Sequence, residues 1–258
     1  VSYVRGGVLS PEGIQRACQA IRDFQSLLRQ FDLGAPRVFA TASLRNIRNT
    51  EEAVAEIREA TGVEVDVISG ELEAKLGYYG TRLTTNLRDG AVFDIGGGST
   101  EILEVRGGEI RKAQSLPIGS LELFNRWVDG LWPRDKELKK IREDVAAALH
   151  QARLPEEPVG KVCGVGGTAR AALKIANAWY DKPAGNRRLT PAELRRLRKM
   201  LCKRDHQARR LILRHCPDRV HTILPGLVLM ETLVSALCEE ELYISPYGVR
   251  EGYLCHKL

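Results

Sequence analysis

One stretch constrains this chain more than any other: Ala91-Val-Phe-Asp-Ile95, then Gly96-Gly-Gly98, then Thr100-Glu-Ile-Leu-Glu-Val105. Two apolar, branched runs flank a turn of three glycines. A second glycine turn, Arg106-Gly-Gly108, leads into a third run at 110–116. Three strands joined by glycine turns predict an antiparallel meander, and such a meander starts a sheet.

Upstream, helical and strand patterns alternate. Ser10 and Pro11 open a helix with apolar Ile14, Ala17, Cys18, Ile21, Phe24 and Leu28 at helical spacing, closed by Gly34. A strand is predicted at 37–41. Asn49, with Glu52 three residues on, reads as a capped helix start running to Thr61-Gly62. A second strand follows at 63–68, and Ser69-Gly70 begins a helix to about Leu83. This βα alternation implies a sheet covered by helices. After the meander come helices at 119–129 and 134–152, a strand at 159–164, and a helix opened by Gly166-Gly167-Thr168. Residues 181–190 read as a loop. The remainder is almost wholly helical, with one strand at 242–245 and a terminal helix. The pattern gives two α/β lobes with a boundary near residue 86.

Composition excludes several classes. With 43% hydrophobic and 28% charged residues, the chain has the apolar mass for a real core, so it is neither collagenous, mucin-like nor disordered. No apolar run reaches the ~18–20 residues of a membrane span, and no charged region precedes a hydrophobic one as in an export signal. The six cysteines form no CxxC pair and the five histidines no metal-ligand cluster. A reduced, cytoplasmic protein is expected. Net charge is +6, but 187–220 carries twelve Lys/Arg against Glu193, Asp205 and Asp218. That run reads either as a solvated helical face or as an attractor for a polyanion. It contains no aromatic residue, which argues against stacking on single-stranded nucleic acid.

Chemistry concentrates around Asp94. An acid ends a buried strand, Gly96, Gly97 and Gly98 let main-chain N–H groups converge, and Ser99 and Thr100 follow. Converging amides make an anion nest, and an acid beside it is placed to hold a hydrated divalent cation. A plain glycine hairpin is the bland alternative. Gly164-Val-Gly166-Gly167-Thr168 again precedes a helix, whose N-terminus favours anions; close packing would explain it equally. Neither loop is a Walker A sequence. Glu71 and Glu73 point in different directions from one helix, so one can be solvated while the other faces a cleft. Thr41, Arg45 and Asn49, at i, i+4 and i+8, would line one helical face, with Arg45 clamping a phosphate or pairing with an acid.

Taken together, Ala40-Thr-Ala-Ser-Leu-Arg45 with Asn49, Val67-Ile-Ser-Gly-Glu-Leu-Glu-Ala-Lys75 and Asp94-Ile-Gly-Gly-Gly-Ser-Thr-Glu101 form a family pattern. They resemble the exopolyphosphatase/guanosine pentaphosphate phosphatase (Ppx/GppA) family. Leu116-Pro-Ile-Gly119, Gly164-Val-Gly-Gly-Thr168, Ile223-Leu-Pro-Gly226 and Gly248-Val-Arg-Glu-Gly252 match further blocks in order. The resemblance implies an α/β, two-lobed actin-like (ribonuclease H-like) ATPase superfamily fold with an interlobe cleft. Residues 1–86 would form the first lobe, with 247–258 packing back on it, and 87–246 the second. It implies release of terminal phosphate from inorganic polyphosphate or guanosine pentaphosphate, helped by Mg²⁺. By position, Glu73 matches the base that deprotonates the attacking water and Asp94 the metal-associated acid. Gly96, Gly97, Gly98 and Ser99 match a phosphate loop, and Arg45, Gly166, Gly167 and Thr168 further phosphate contacts. No membrane or specific nucleic-acid partner is expected, whereas a homodimer would extend the cleft for a polymer.

The sequence departs from that pattern in three ways. Nothing in it matches the family's opening Asp-x-Gly-Ser-Asn loop, and Lys75 stands where Arg is usual. It also lacks the extra C-terminal domains of longer members, so its fit to very long polymers is expected to be weaker. The rival expectations are a non-catalytic polyphosphate or alarmone binding protein and an ATP-dependent phosphotransferase of the same superfamily.

Overall fold

The computed structural model describes residues 3–152, 154–155 and 158–257. Its internal contacts divide the chain into two units, Val1–Gly70 and Glu71–Leu258.

In the first unit, strands β1 (Val4–Arg5) and β2 (Val8–Leu9) pair antiparallel. Helix α1 (Pro11–Gln30) starts where the Ser10 side chain accepts the Gly13 amide, with Pro11 in the first turn. Strand β3 (Val38–Ala40), helices α2 (Ala42–Arg45) and α3 (Thr50–Thr61), and strand β4 (Val65–Val67) follow. β3 and β4 pair in parallel. Ile14, Cys18 and Ile21 of α1 pack with Ala53 and Ile57 of α3 and with Val63 and Val65.

One expectation fails here and another holds only in part, since α3 begins after Asn49 and closes at Gly62 as expected but has no side-chain cap. Thr41, Arg45 and Asn49 do not line one helical face, because α2 ends at Arg45 and α3 begins only at Thr50. Asn49 caps nothing with its side chain. Its amide instead clamps β2, accepting from the Leu9 amide at 2.9 Å and donating to the Leu9 carbonyl at 3.0 Å. Two long-range bonds to one residue outcompete a single local cap.

The second unit holds helix α4 (Gly70–Thr81), strands β5 (Gly90–Ile95), β6 (Thr100–Arg106) and β7 (Glu109–Leu116), helices α5 (Ser120–Trp127) and α6 (Asp135–Gln151), strand β8 (Gly160–Val165) and helix α7 (Gly166–Trp179). Then come strand β9 (Arg188–Leu189), helices α8 (Pro191–Leu201) and α9 (His206–His215), a 3₁₀ turn (Pro217–Arg219), helix α10 (Ile223–Leu237), strand β10 (Cys238–Ile244) and helix α11 (Val249–Lys257). The strands form a six-stranded mixed sheet in the order β7-β6-β5-β8-β10-β9. The predicted meander is its antiparallel edge, while β8 lies parallel to both β5 and β10. The segment expected as a loop at 181–190 contains β9, which pairs with β10 through Leu189 and Leu242.

Strand alternation sorts the two faces. Ala91, Phe93 and Ile95 point into the larger core, with α6, α7, α8 and α10. Val92, Leu103, Val105, Cys163 and Val165 point the other way, where Ala74 and Tyr78 of α4 cover them. That cover explains why the units part after Gly70 although the pattern changes near residue 86: α4 packs on the later sheet. Helix α11 packs on α4, since Cβ atoms at Gly80 and Gly252 would collide with the Gly248 and Leu76 carbonyls.

Candidate active site

β5 continues its α4-facing alternation from Val92 to Asp94, and β6 continues from Leu103 to Glu101. Asp94 and Glu101 are direct partners in the antiparallel register, so both carboxylates leave the sheet on one face as neighbours. α4 lies over that face, and Glu73, adjacent to Ala74, is 7% exposed. Glu71 points outward, pairing with Lys75 at 2.5 Å with its side chain 62% exposed. The two glutamates thus divide as helical geometry requires.

Three carboxylates on one desolvated face repel one another, and their acidities record it. Asp94 is pushed up to about 6, first by burial and then by Glu73, against the pull of Arg170 and Arg219. Glu101, 2% exposed, is pushed up to about 8, first by burial and then by Glu73, despite hydrogen bonds with Ser115 and Ser99. The Ser115 hydroxyl donates to its Oε1 at 2.6 Å.

A raised acid makes stability fall with pH. The native state keeps a proton that the unfolded chain has released, from the ordinary glutamate range near 4.5 up to about 8. The contribution is full below 4.5 and lost by about 8. Glu101→Gln keeps an uncharged hydrogen-bonding side chain, so its melting temperature should stay flatter than that of the unsubstituted protein between pH 5 and 8. Thermal melts across that window check this, and parallel curves would contradict it.

The glycine loop sits at the same end of β5. The Gly96 amide closes the turn on the Ser99 carbonyl at 3.0 Å. At the start of α5, the Ser120 amide donates to the Gly96 carbonyl, and the Leu121 and Glu122 amides to that of Gly97. These bonds satisfy donors a helix start leaves open and turn the loop's carbonyls towards α5. A Cβ on Gly119 would strike the Gly97 carbonyl. The amides of Gly97, Gly98 and Ser99 have no protein acceptor among the described residues. Gly97 and Gly98 are exposed, whereas Ser99 is buried and its hydroxyl is engaged with Glu101.

The second glycine turn has different reasons. Gly166 has φ +82°, and a Cβ there would overlap the Asp94 carboxylate. A Cβ on Gly167 would overlap the Arg219 guanidinium. Both glycines therefore admit charged groups to the start of α7. Thr168 is 2% exposed, and its hydroxyl donates to the Ile95 carbonyl at 3.0 Å. Its side chain ties α7 to β5 and is not open to a ligand. Arg170, one turn along α7, is half-buried. Its affinity for its proton is lowered by burial, raised by Asp94, lowered by Arg250, raised by Glu251 and lowered by Arg219.

Glu73, Asp94, Gly96, Gly97, Gly98, Ser99, Gly166, Gly167 and Thr168 all belong to the second unit. Arg45 belongs to the first, where its Nη1 donates to the Ile68 carbonyl at 3.1 Å. The sequence reading assigns no role to Glu101, Arg170 or Arg219. Glu101 was visible within the glycine motif, but Arg219 is lost among the charges of 187–220.

Among the described residues, no group of three or more His, Cys, Asp or Glu side chains is placed to ligate a metal. The donors at hand are the hard carboxylate oxygens of Glu73, Asp94 and Glu101. That set fits Mg²⁺ in the mode where one or two carboxylates share the ion with substrate phosphates and water.

A family model described as "Ppx/GppA phosphatase family" matches residues 2–258. Exopolyphosphatase 1 of Mycobacterium tuberculosis is 26% identical, over 98% of this chain and 75% of that protein. The Mycobacterium leprae protein of the same name is 25% identical, over 98% and 76%. A crystal structure of an exopolyphosphatase from Cytophaga hutchinsonii superposes with a TM-score of 0.84 at 21% identity, covering 98% of this chain and 84% of that one. An Aquifex aeolicus Ppx/GppA family member superposes at 0.79 with 24% identity, covering 98% and 83%. The shared fold is α/β, actin-like, with a mixed sheet.

Proposed function

This chain belongs to the Ppx/GppA phosphatase family, and from that premise we propose that it releases the terminal phosphate of inorganic polyphosphate by in-line attack of water. One observation carries the reading: Glu73 overlies a strand-end acid pair beside a loop whose Gly97 and Gly98 amides have no protein acceptor among the described residues. Phosphoryl transfer needs a positioned nucleophile and neutralised charge more than covalent chemistry.

Glu73 takes a proton from the attacking water as that oxygen bonds to the terminal phosphorus. The anhydride P–O bond opposite breaks, leaving orthophosphate and a chain shorter by one unit. The amides of Gly97 and Gly98 receive phosphoryl oxygens, with donors fixed before the substrate arrives. Arg219 and Arg170 add positive charge at the start of α7. With Glu101 held largely protonated at neutral pH by its acidity near 8, the base is not flanked by two full negative charges. Mg²⁺, held at Asp94, would supply further neutralisation of the phosphate oxygens.

The mycobacterial relatives carry the name of the polymer-directed activity, which favours polyphosphate over guanosine pentaphosphate. Six free cysteines support a reducing, cytoplasmic setting, and among the described residues no helix is long and apolar enough to cross a membrane. Phosphate release should be measured with tripolyphosphate, long-chain polyphosphate and guanosine pentaphosphate, with and without Mg²⁺. Mg²⁺-dependent release, faster from the polymers than from the nucleotide, is expected. Tight binding of all three without release would leave a binding protein instead.

A further inference from the structure

Most of the basic run at 187–220 is spent within the fold. Arg198 pairs with Glu231, Arg204 with Asp135 at 2.9 Å and Arg188 with Glu241 at 3.5 Å. Arg209 lies over the Trp132 ring, and Arg219 reaches Gly167. Arg210 and Arg214 differ. They lie one turn apart on α9, have no acidic partner among the described residues, and line a cavity of about 390 Å³ with Gln207, Leu211, His215 and Ala178.

Ala178 belongs to α7, whose sequence gives the cavity a direction. Gly166, Arg170, Lys174 and Ala178 recur every fourth residue, so they follow one stripe of the helix. The stripe begins against Asp94 and ends in the cavity, a rise of about 18 Å at ~1.5 Å per residue. Lys174 and Arg214 both act on His215, adding to burial in lowering its affinity for a proton. Lys174 and Arg219 both act on Cys216. Asp218, which also acts on Cys216, is turned to Arg219 at 3.6 Å. Four basic side chains, Arg170, Lys174, Arg214 and Arg210, therefore run from the start of α7 to the cavity, with Asp94 and Glu251 acting on Arg170 at the near end.

We propose that the groove between α7 and α9 is an exosite for the trailing part of a linear polyphosphate whose end group lies at the glycine loops. The proposal rests on the function given above and deepens it, since it makes affinity depend on chain length. A tripolyphosphate held at the loops is too short to reach the cavity. A long chain engages both places at once, and its second contact is intramolecular. A regularly charged polymer suits a track of Arg and Lys heads over apolar Leu211 and Ala178. Single-stranded nucleic acid suits it less, because no Phe, Tyr or Trp lines the cavity.

The test uses the Arg210→Gln/Arg214→Gln double variant and, from the opposite wall, Lys174→Gln. Kinetics with tripolyphosphate and long-chain polyphosphate are compared with equilibrium binding of the long chain in EDTA. KM for the long chain should rise about tenfold, equivalent to ~1.4 kcal/mol, with kcat unchanged. Tripolyphosphate constants should not move, and long-chain binding should weaken by the same factor, less so at high salt. Unchanged long-chain KM and binding in both variants would overturn the exosite. Single-stranded DNA displacing the polymer at equal phosphate concentration would reassign the groove to nucleic acid. If the unsubstituted protein released no phosphate from either chain, the catalytic reading would fail, and the binding comparison would still decide the exosite.

Discussion

Glu73→Gln is expected to lower kcat for phosphate release by about 10²–10⁴-fold, the range usual for loss of a general base, while KM changes little. The amide has the shape of the carboxylate but cannot accept the water's proton. The same substitution should not weaken the fold. Glu73 is the second cause, after burial, raising the pKa of both Asp94 and Glu101. Removing its charge relieves that repulsion, so the variant should melt at or above the temperature of the unsubstituted protein at pH 8. Loss of turnover with gain of stability is hard to obtain from misfolding, and that pairing is the diagnostic. Phosphate release and melts at pH 6 and 8 measure both. Undiminished kcat would remove Glu73 from the mechanism.

The parts of this site that follow from local pattern are legible in the sequence, and the parts that follow from register are not. Alternating apolar residues around Gly96-Gly97-Gly98 yield β5, β6 and the turn between them. Helical spacing separates Glu71 from Glu73, and the structure finds one exposed and the other buried. Glu101 becomes meaningful only once β5 and β6 pair, because register alone sets it opposite Asp94. Arg219 is invisible for a different reason: chain distance hides its approach to Gly167, and its neighbours look like an ordinary solvated face. The glycines at 166 and 167 stand out in the sequence as a turn before a helix, but that they admit Asp94 and Arg219 is visible only in the fold. Asn49 shows the same limit in the first unit, where a residue with every local mark of a cap is used to hold β2.

Gly252→Ala is expected to be the most destabilising single substitution in α11, costing about 3 kcal/mol or more. Added methyl groups in tight cores typically cost ~1–3 kcal/mol when side chains can shift. Here the obstruction is main chain: the new Cβ would overlap the Leu76 carbonyl and lie 3.1 Å from the Gly80 amide nitrogen. Gly80→Ala meets the same joint from the other side, against the Gly248 carbonyl, so the two losses should not add. Gly185→Ala, with nothing within 4 Å of its Cβ position, is the control and should stay within ~0.5 kcal/mol. The joint matters for chemistry because Gly80 and Glu73 lie on one helix, two turns apart. If α11 is forced off α4, the carboxylate loses its position over Asp94 and Glu101. Gly252→Ala should therefore lose kcat at temperatures where its circular dichroism is still native. Equal melting temperatures for Gly252→Ala and Gly185→Ala would mean that the two helices do not meet main chain to main chain. A lower melting temperature with full activity would free the base from the joint while leaving the packing intact.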